Sequence, residues 1–126
     1  MTVNDKELSK EEIMELQKET VQSIAEYLPN LISGMENVVS ELKGEMKEDT
    51  WEYFRMVIDG FNWVIEAYNG TKEYRTETGK VLDDSRMEEA VSCLSDAFRN
   101  KEEEKSADVV EKDILPFLNK LKDLVV

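Results

Sequence analysis

Three carboxylates near the beginning of the chain have a spacing that could bind a divalent cation. Glu11, Glu12 and Glu15 fall within about one helical turn, and oxygen ligands are what Mg²⁺ prefers in proteins. A helical Mg²⁺-dependent hydrolase would also need a second carboxylate pair on a facing helix. Neither Glu36 nor Glu41 has an Asp three residues later. The spacing therefore favours a charged helix start, which the helix dipole stabilises, over a metal site.

Other chemistry is also poorly supported. The chain has no histidine, which removes the commonest general base and metal ligand. Its single cysteine, Cys93, has no second cysteine for a disulfide or a zinc pair. Asp83-Asp84-Ser85 lacks the ligand spacing of a calcium loop, and Gly79-Lys80 lacks the earlier glycine of a phosphate-binding loop. We therefore predict a protein that is not an enzyme, with no catalytic residue, metal ligand or cofactor.

Aromatic residues in the middle of the chain are the remaining candidates for a site. One face of a predicted helix carries Trp51, Phe54, Phe61 and Tyr68. Tyr53 and Trp63 lie off this face, and Tyr74 follows in the next segment. Such off-face aromatics either cover a neighbouring helix or contact a partner, since Trp and Tyr are enriched at interfaces. We name Tyr53, Trp63 and Tyr74 as candidate partner-contact residues.

Four amphipathic segments, each with apolar residues three and four positions apart, must position these side chains. They extend from Ser9 to Gly44, from Asp49 or Thr50 to Asn69-Gly70, from Asp84 or Ser85 to Asn100, and from Glu102 or Ser106 to Leu124. The first three open with a capping-box pattern. Residues 1–8 are polar, and we expect them to fray. The segments predict an all-α fold, an antiparallel four-helix bundle forming a single domain over residues 1–126.

Prolines and glycines interrupt this pattern in different ways. Pro29 and Pro116 fall inside the first and last helices without resetting the apolar period, so we expect kinks at both positions, the alternative being a break. Gly60 lies in the middle of the second helix, where we expect the close approach of another helix. Residues 70–84 lose the helical period and predict either a short hairpin that turns at Gly79 or an irregular loop.

The charge balance restricts the partners. The 126 residues include 29 acidic and 16 basic side chains, a formal net charge of -13. Such a field disfavours binding to nucleic acid and to anionic membranes. Met1 to Lys10 has no apolar leader, and no run of apolar residues is long enough to span a bilayer. We therefore expect a cytoplasmic protein that binds neither nucleic acid nor membrane.

Three strings carry a resemblance to a known group of proteins. They are Tyr27 to Gly34 (YLPNLISG), Ile58 to Ala67 (IDGFNWVIEA) and Asp113 to Leu118 (DILPFL). In these strings the chain is similar to an uncharacterised family of small acidic all-helical proteins of Gram-positive bacteria, over about residues 20–125. Against that pattern, residues 70–84 look like an insertion or a longer loop. The strings contain packing motifs without chemistry, so the resemblance implies an all-α cytoplasmic protein and transfers no site residues.

These observations lead to one functional prediction and two alternatives. We predict a non-enzymatic protein-interaction or regulatory module, whose partner is another protein or a second copy of this chain. The first alternative is an acidic decoy that imitates the phosphates of nucleic acid and occupies a basic partner. The second is a carboxylate-metal hydrolase that uses Mg²⁺ on the first helix.

Overall fold

The computed structural model describes residues 9–79, 82 and 87–125. They form α1 (Lys10–Lys43), α2 (Thr50–Asn69), α3 (Lys72–Thr78), α4 (Met87–Arg99), α5 (Glu103–Val109) and α6 (Leu115–Val125), and a π-helical segment, Val110–Ile114, joins α5 to α6. No strand occurs among these residues, so the all-α prediction is confirmed. The described part contains five helices when α5, the π segment and α6 are counted as one. The predicted four-helix bundle is therefore not confirmed, since α3 is an additional helix.

The long helix α1 begins and ends where the sequence predicts. Ser9 is its N-cap: the Glu12 amide donates to Ser9 Oγ at 3.1 Å, and the Ser9 hydroxyl donates to Glu12 Oε1 at 3.1 Å. Gly44 is the C-cap, and its amide bonds the Ser40 carbonyl at 2.9 Å. The helix is continuous through Pro29, so a break at that residue is excluded. The kink stays a prediction.

The buried face of α1 does not extend along its whole length. Its apolar positions are buried from Val21 to Leu42, but Leu16, which the period assigns to the same face, is 51% exposed. The reason is the length of α2. Tyr27 of α1 lies opposite Gly60 of α2, so α2 ends roughly level with residue 18 of α1, given the equal rise per residue. The part of α1 that precedes this level contacts the short α3 instead.

The core connects α2 to the C-terminal half through aromatic pairs. Phe98 of α4 packs edge-on against Phe54 and against Trp51, with ring centroids 5.5 and 6.0 Å apart. Tyr68 of α2 meets Phe117 of α6 at 6.4 Å. We call α1, α2, α4 and the continuous helix from α5 to α6 the four long helices. Because α1 contacts α2, α5 and α6, and α4 contacts α5, these helices enclose one apolar cluster.

The ends of α2 differ from the prediction in their details. Asp49 makes no capping hydrogen bond with its side chain. Instead, the buried Thr50 hydroxyl accepts from the Lys47 amide at 2.8 Å and donates to Glu41 Oε1 at 2.8 Å, which ties the loop to α1. Gly70 ends the helix with φ -73°, although Asn and Gly both tolerate a positive φ at a helix end.

The predicted hairpin or irregular loop is wrong for Lys72–Thr78, which form α3. Contact with α1 supports this helix, because Gln17 Oε1 accepts from the Tyr74 amide at 2.9 Å and so caps a first-turn donor. The Arg75 guanidinium stacks on the Tyr68 ring, 3.8 Å from its centroid. Gly79, with φ +73°, then ends the helix. Residues 80–81 of the proposed hairpin lie outside the described residues.

The C-terminal helix is continuous from Glu103 to Val125, close to the predicted Glu102 start. Pro116 has no amide hydrogen to donate. Just before it, the helix widens, and the Leu115 amide bonds the Val110 carbonyl. The π segment therefore absorbs the proline without a break. The predicted start of the third helix at Asp84 or Ser85, and the predicted fraying of residues 1–8, lie outside the described residues.

Candidate interaction surface

The seam between α1 and α2 is built from two reciprocal tyrosine–glycine contacts. Tyr27 of α1 lies over Gly60 of α2, where a Cβ atom would collide with the tyrosine hydroxyl. Tyr53 and Val57 of α2 approach Gly34 of α1, where a Cβ would meet Val57 Cγ2 at 3.2 Å and the Tyr53 hydroxyl at 3.6 Å. The expected close approach at Gly60 is confirmed, and the group that approaches is a tyrosine side chain.

A simple spacing in the sequence encodes this seam. Each tyrosine precedes a glycine by seven residues, Tyr27 before Gly34 and Tyr53 before Gly60. Seven residues are about two helical turns, so the tyrosine and the glycine of each helix lie on the same face. Since the two helices run in opposite directions, each tyrosine meets the other helix's glycine. This signal could have been found from sequence alone, and it indicates where α1 and α2 touch.

Trp63 lies at the outer edge of the seam and is 45% exposed. Its ring packs edge-on against Tyr27, with centroids 5.6 Å apart and planes at 88°. Tyr27, Gly60 and Trp63 line an open notch of about 300 Å³, which we call the Trp63 notch. The notch exists because Gly60 has no side chain to fill it. Met56, on the same side of α2, is 62% exposed.

Acidic residues are interleaved with these apolar side chains along α2. Successive steps of four and three residues place five exposed side chains on one face, which we call the α2 outer stripe: Glu52, Met56, Asp59, Trp63 and Glu66. Within the described part of the chain, none of the three acids has a basic partner within 4.0 Å. The stripe thus combines two exposed apolar side chains with three acids that form no ion pair with a described residue.

The structure places two of the three candidate contact residues along the same seam, ten residues apart on α2. Tyr53 is half-buried and Trp63 is exposed, and both lie where α2 meets α1. Tyr74 is half-buried on α3, where its amide binds Gln17, and so belongs to a different seam. Sequence reasoning missed Tyr27, because the period of α1 does not indicate that its ring packs against Trp63 of α2.

A second concave region lies between the start of α1 and α3. This cleft has a volume of about 730 Å³ and is lined by Lys10, Ile13, Met14, Lys72, Glu73, Thr76 and Glu77. The Lys10 ammonium meets Glu77 at 2.9 Å, and Gln17 donates to Glu73 at 2.8 Å. These hydrogen bonds lower the pKa values of Glu77 and Glu73 below the usual range of a glutamate. Both carboxylates are therefore engaged within the protein.

The residues suggested for metal chemistry do not form a cluster in the described structure. Glu11, Glu12 and Glu15 are exposed on α1, and Glu12 takes part in the Ser9 cap. Among residues 9–79, 82 and 87–125, no group of three His, Cys, Asp or Glu side chains could hold a metal ion. Cys93 is a free, half-buried thiol on α4.

These features define an all-helical structure held by apolar packing, with an exposed tryptophan at the edge of the α1–α2 seam. By comparison with known families, the chain belongs to the family described as "Domain of unknown function (DUF8042)", whose model matches residues 19–124. Comparisons with curated proteins and with solved structures gave no match. None of the described helices is both long and apolar enough to cross a membrane.

Proposed function

We propose that this protein is a non-enzymatic interaction module. In this proposal the four long helices pack antiparallel as a bundle that presents the α1–α2 seam to a protein partner in the cytoplasm. The observation that carries the proposal is the exposed Trp63 beside an open notch. Large aromatic side chains that fill pockets, or that line them, dominate the binding energy of protein interfaces.

The packing of Trp63 supports this role further. Edge-to-face contact with Tyr27 fixes one side of the indole and leaves the other side in solvent. A side chain that is already held in place loses little conformational entropy when a partner binds. The neighbouring Met56 adds a flexible, polarizable contact that adapts to different apolar shapes. Together they form a small apolar surface that is partly preorganised for binding.

Two other predictions remain without a specific structural observation in their favour. The acidic decoy would need a continuous surface that imitates phosphates, and the Mg²⁺-dependent hydrolase would need converging carboxylates. Homodimerisation through an aromatic face also stays a prediction. For these reasons the interaction module is the function that the described geometry supports best.

Affinity capture with a matched pair of variants tests the proposal. The tagged protein, its Trp63→Ala variant and its Leu16→Ala variant are used as baits in extracts of the native host, and retained proteins are identified by mass spectrometry. Leu16 is the control because it is a similarly exposed apolar residue, 51% against 45%, on a different part of the surface.

The expected result is a partner retained by the wild type and by Leu16→Ala but lost with Trp63→Ala. Circular dichroism should show equal helix content for all three proteins, since neither substitution affects the core. Equal retention of the partner by all three baits would contradict the assignment of the α1–α2 seam as the binding surface. Retention of nothing by the wild type would contradict the interaction module itself.

A further inference from the structure

The α2 outer stripe has the features of a docking site for one kind of partner segment. Resting on the function proposed above, we propose that this segment is a basic amphipathic α-helix. It lies along the stripe, inserts one large apolar side chain into the Trp63 notch and places Lys or Arg side chains against Glu52, Asp59 and Glu66. This assigns the chemistry of the partner, which the general function leaves open.

The geometry of the stripe favours a helix as the bound element. Its positions, Glu52 to Glu66, follow steps of four, three, four and three residues and extend about 21 Å along α2. A partner helix that crosses at a shallow angle presents its own side chains with the same repeat. Apolar residues one or two turns apart would then reach Met56 and Trp63 together, as in other complexes of a helix with a groove.

The charges around the stripe favour a basic partner. Glu52, Asp59 and Glu66 are exposed, and Glu26 on α1 directly precedes Tyr27. The sequence of α2 contains one basic residue, Arg55. The local charge is therefore negative on both sides of Trp63. Complementary Lys and Arg side chains on a partner would speed association and fix its orientation.

The charges also argue against one competing occupant and one competing site. A second copy of this chain would bring its own three acids against these three, and juxtaposed like charges oppose association. The cleft between α1 and α3 is larger, but its carboxylates Glu73 and Glu77 already bind Gln17 and Lys10. The unpaired acids and the open notch occur together on the α2 outer stripe.

A binding measurement with defined peptides tests the inference. The basic probe is a synthetic helical peptide of about 18 residues, long enough to cover the stripe, with Leu on one face and Lys on the flanking positions. The acidic probe is the same peptide with every Lys replaced by Glu. Isothermal titration calorimetry at low and at physiological salt gives Kd, and amide NMR shifts of the protein locate the bound peptide.

Two variants, each with a matched control, separate the contributions of the notch and of the charges. Trp63→Ala removes one wall of the notch, and Leu16→Ala is its control. Glu52→Gln, Asp59→Asn and Glu66→Gln are combined to neutralise the stripe. The matched control combines Glu103→Gln, Glu104→Gln and Asp108→Asn, which removes the same number of charges from exposed positions on α5.

We expect the basic probe to bind on α2, with Kd weakened about tenfold or more by Trp63→Ala. The stripe variant should weaken binding about tenfold at low salt and reduce its salt dependence, whereas Leu16→Ala and the α5 variant should change Kd by about twofold or less. Equal binding of both probes, equal effects of both triple variants, or no binding would overturn the basic-helix assignment. Self-association of the wild type that Trp63→Ala abolishes would overturn it in favour of a second copy.

These outcomes are distinguishable from failure of the function proposed above. If the basic probe fails to bind but Trp63-dependent capture of a host protein persists, the interaction module stands and its partner has different chemistry. If capture fails as well, both proposals are wrong.

Discussion

The helix α1 packs against its neighbours in two different ways. Along α2 it uses tyrosine–glycine contacts, in which Tyr27 and Gly34 bring the helices close together over a buried apolar face. Along α3 it uses polar contacts: Gln17 binds the Tyr74 amide, and Lys10 pairs with Glu77. The first seam excludes water from the core, and the second lies largely at the surface.

The comparison shows how a single amphipathic period can serve two environments. The apolar repeat of α1 continues from Ile13 to Leu42, but burial follows only where α2 and the C-terminal helix lie alongside. The family match, residues 19–124, includes both tyrosine–glycine pairs and excludes Lys10 and Gln17, which hold α3. Because the first seam covers a buried apolar face and α3 has no buried residue, the stability of the fold should depend on the first seam far more than on the second.

The largest expected effect comes from the same substitution made once in each region of α1. Leu28 is fully buried and Leu16 is 51% exposed. Leu28→Ala should lower the free energy of unfolding by about 2–5 kcal/mol, because it removes buried methyl groups and leaves a cavity. Leu16→Ala should change it by about 0.5 kcal/mol or less. Urea denaturation of both variants measures the difference. Similar losses of unfolding free energy would contradict the division of α1 into a buried and an exposed part.

A smaller effect tests the tyrosine–glycine seam itself. Gly60→Ala should destabilise the wild type by about 1 kcal/mol, because the new methyl group displaces the Tyr27 hydroxyl. In a Tyr27→Phe background the hydroxyl is absent, so the better helix propensity of Ala should largely offset or outweigh the remaining crowding. A double-mutant cycle measured by denaturation should give a coupling of at least about 1 kcal/mol. Additive effects would show that the two residues do not touch.

A substitution in the polar seam between α1 and α3 should affect mainly the local stability of α3. Gln17→Ala removes the acceptor of the Tyr74 amide and the donor to Glu73. We expect α3 to open more often, with faster hydrogen exchange at Tyr74, while global stability falls by about 1 kcal/mol or less. Exchange at core amides such as Phe61 serves as the internal control. Unchanged exchange at Tyr74 would mean that α3 does not depend on α1.

The smallest effect concerns the Lys10–Glu77 pair at the surface. The hydrogen bond from Lys10, and then its charge, hold the pKa of Glu77 below its usual value. The stabilisation from Glu77 is thus present above that usual pKa and is lost as the pH falls through the lowered one. In Lys10→Met the pKa of Glu77 should return toward its usual value in an NMR titration, with little change in stability. An unchanged pKa would exclude the pair.

The sequence predicts the helices well where the apolar period is long. It identifies α1 from Ser9 to Gly44 and α2 up to Asn69, because caps and periodicity agree there. It fails at α3, which is capped by Gln17, a residue far away in the chain. It also overestimates the burial of Leu16, because a period shows which residues share a face but not how far a neighbouring helix extends.

The candidate surface was only partly predictable, for a related reason. The off-face position of Trp63 identifies it as a possible contact residue, and the structure leaves it exposed. The same argument selects Tyr53 and Tyr74, which are half-buried in separate seams. The notch depends on Tyr27 and Gly60 meeting across two helices. A property that arises between helices cannot be assigned to the period of either one.

Oxidative footprinting of the complex tests the central claim most directly. The tagged protein, alone and with the captured host partner bound, is exposed to hydroxyl radicals, and oxidised residues are quantified by mass spectrometry. Our account predicts that binding protects Met56 and Trp63 on the α2 outer stripe and leaves Met14, in the cleft beside α3, unchanged. Protection of Met14 with undiminished oxidation of Met56 and Trp63 would contradict it and would assign recognition to the α1–α3 cleft.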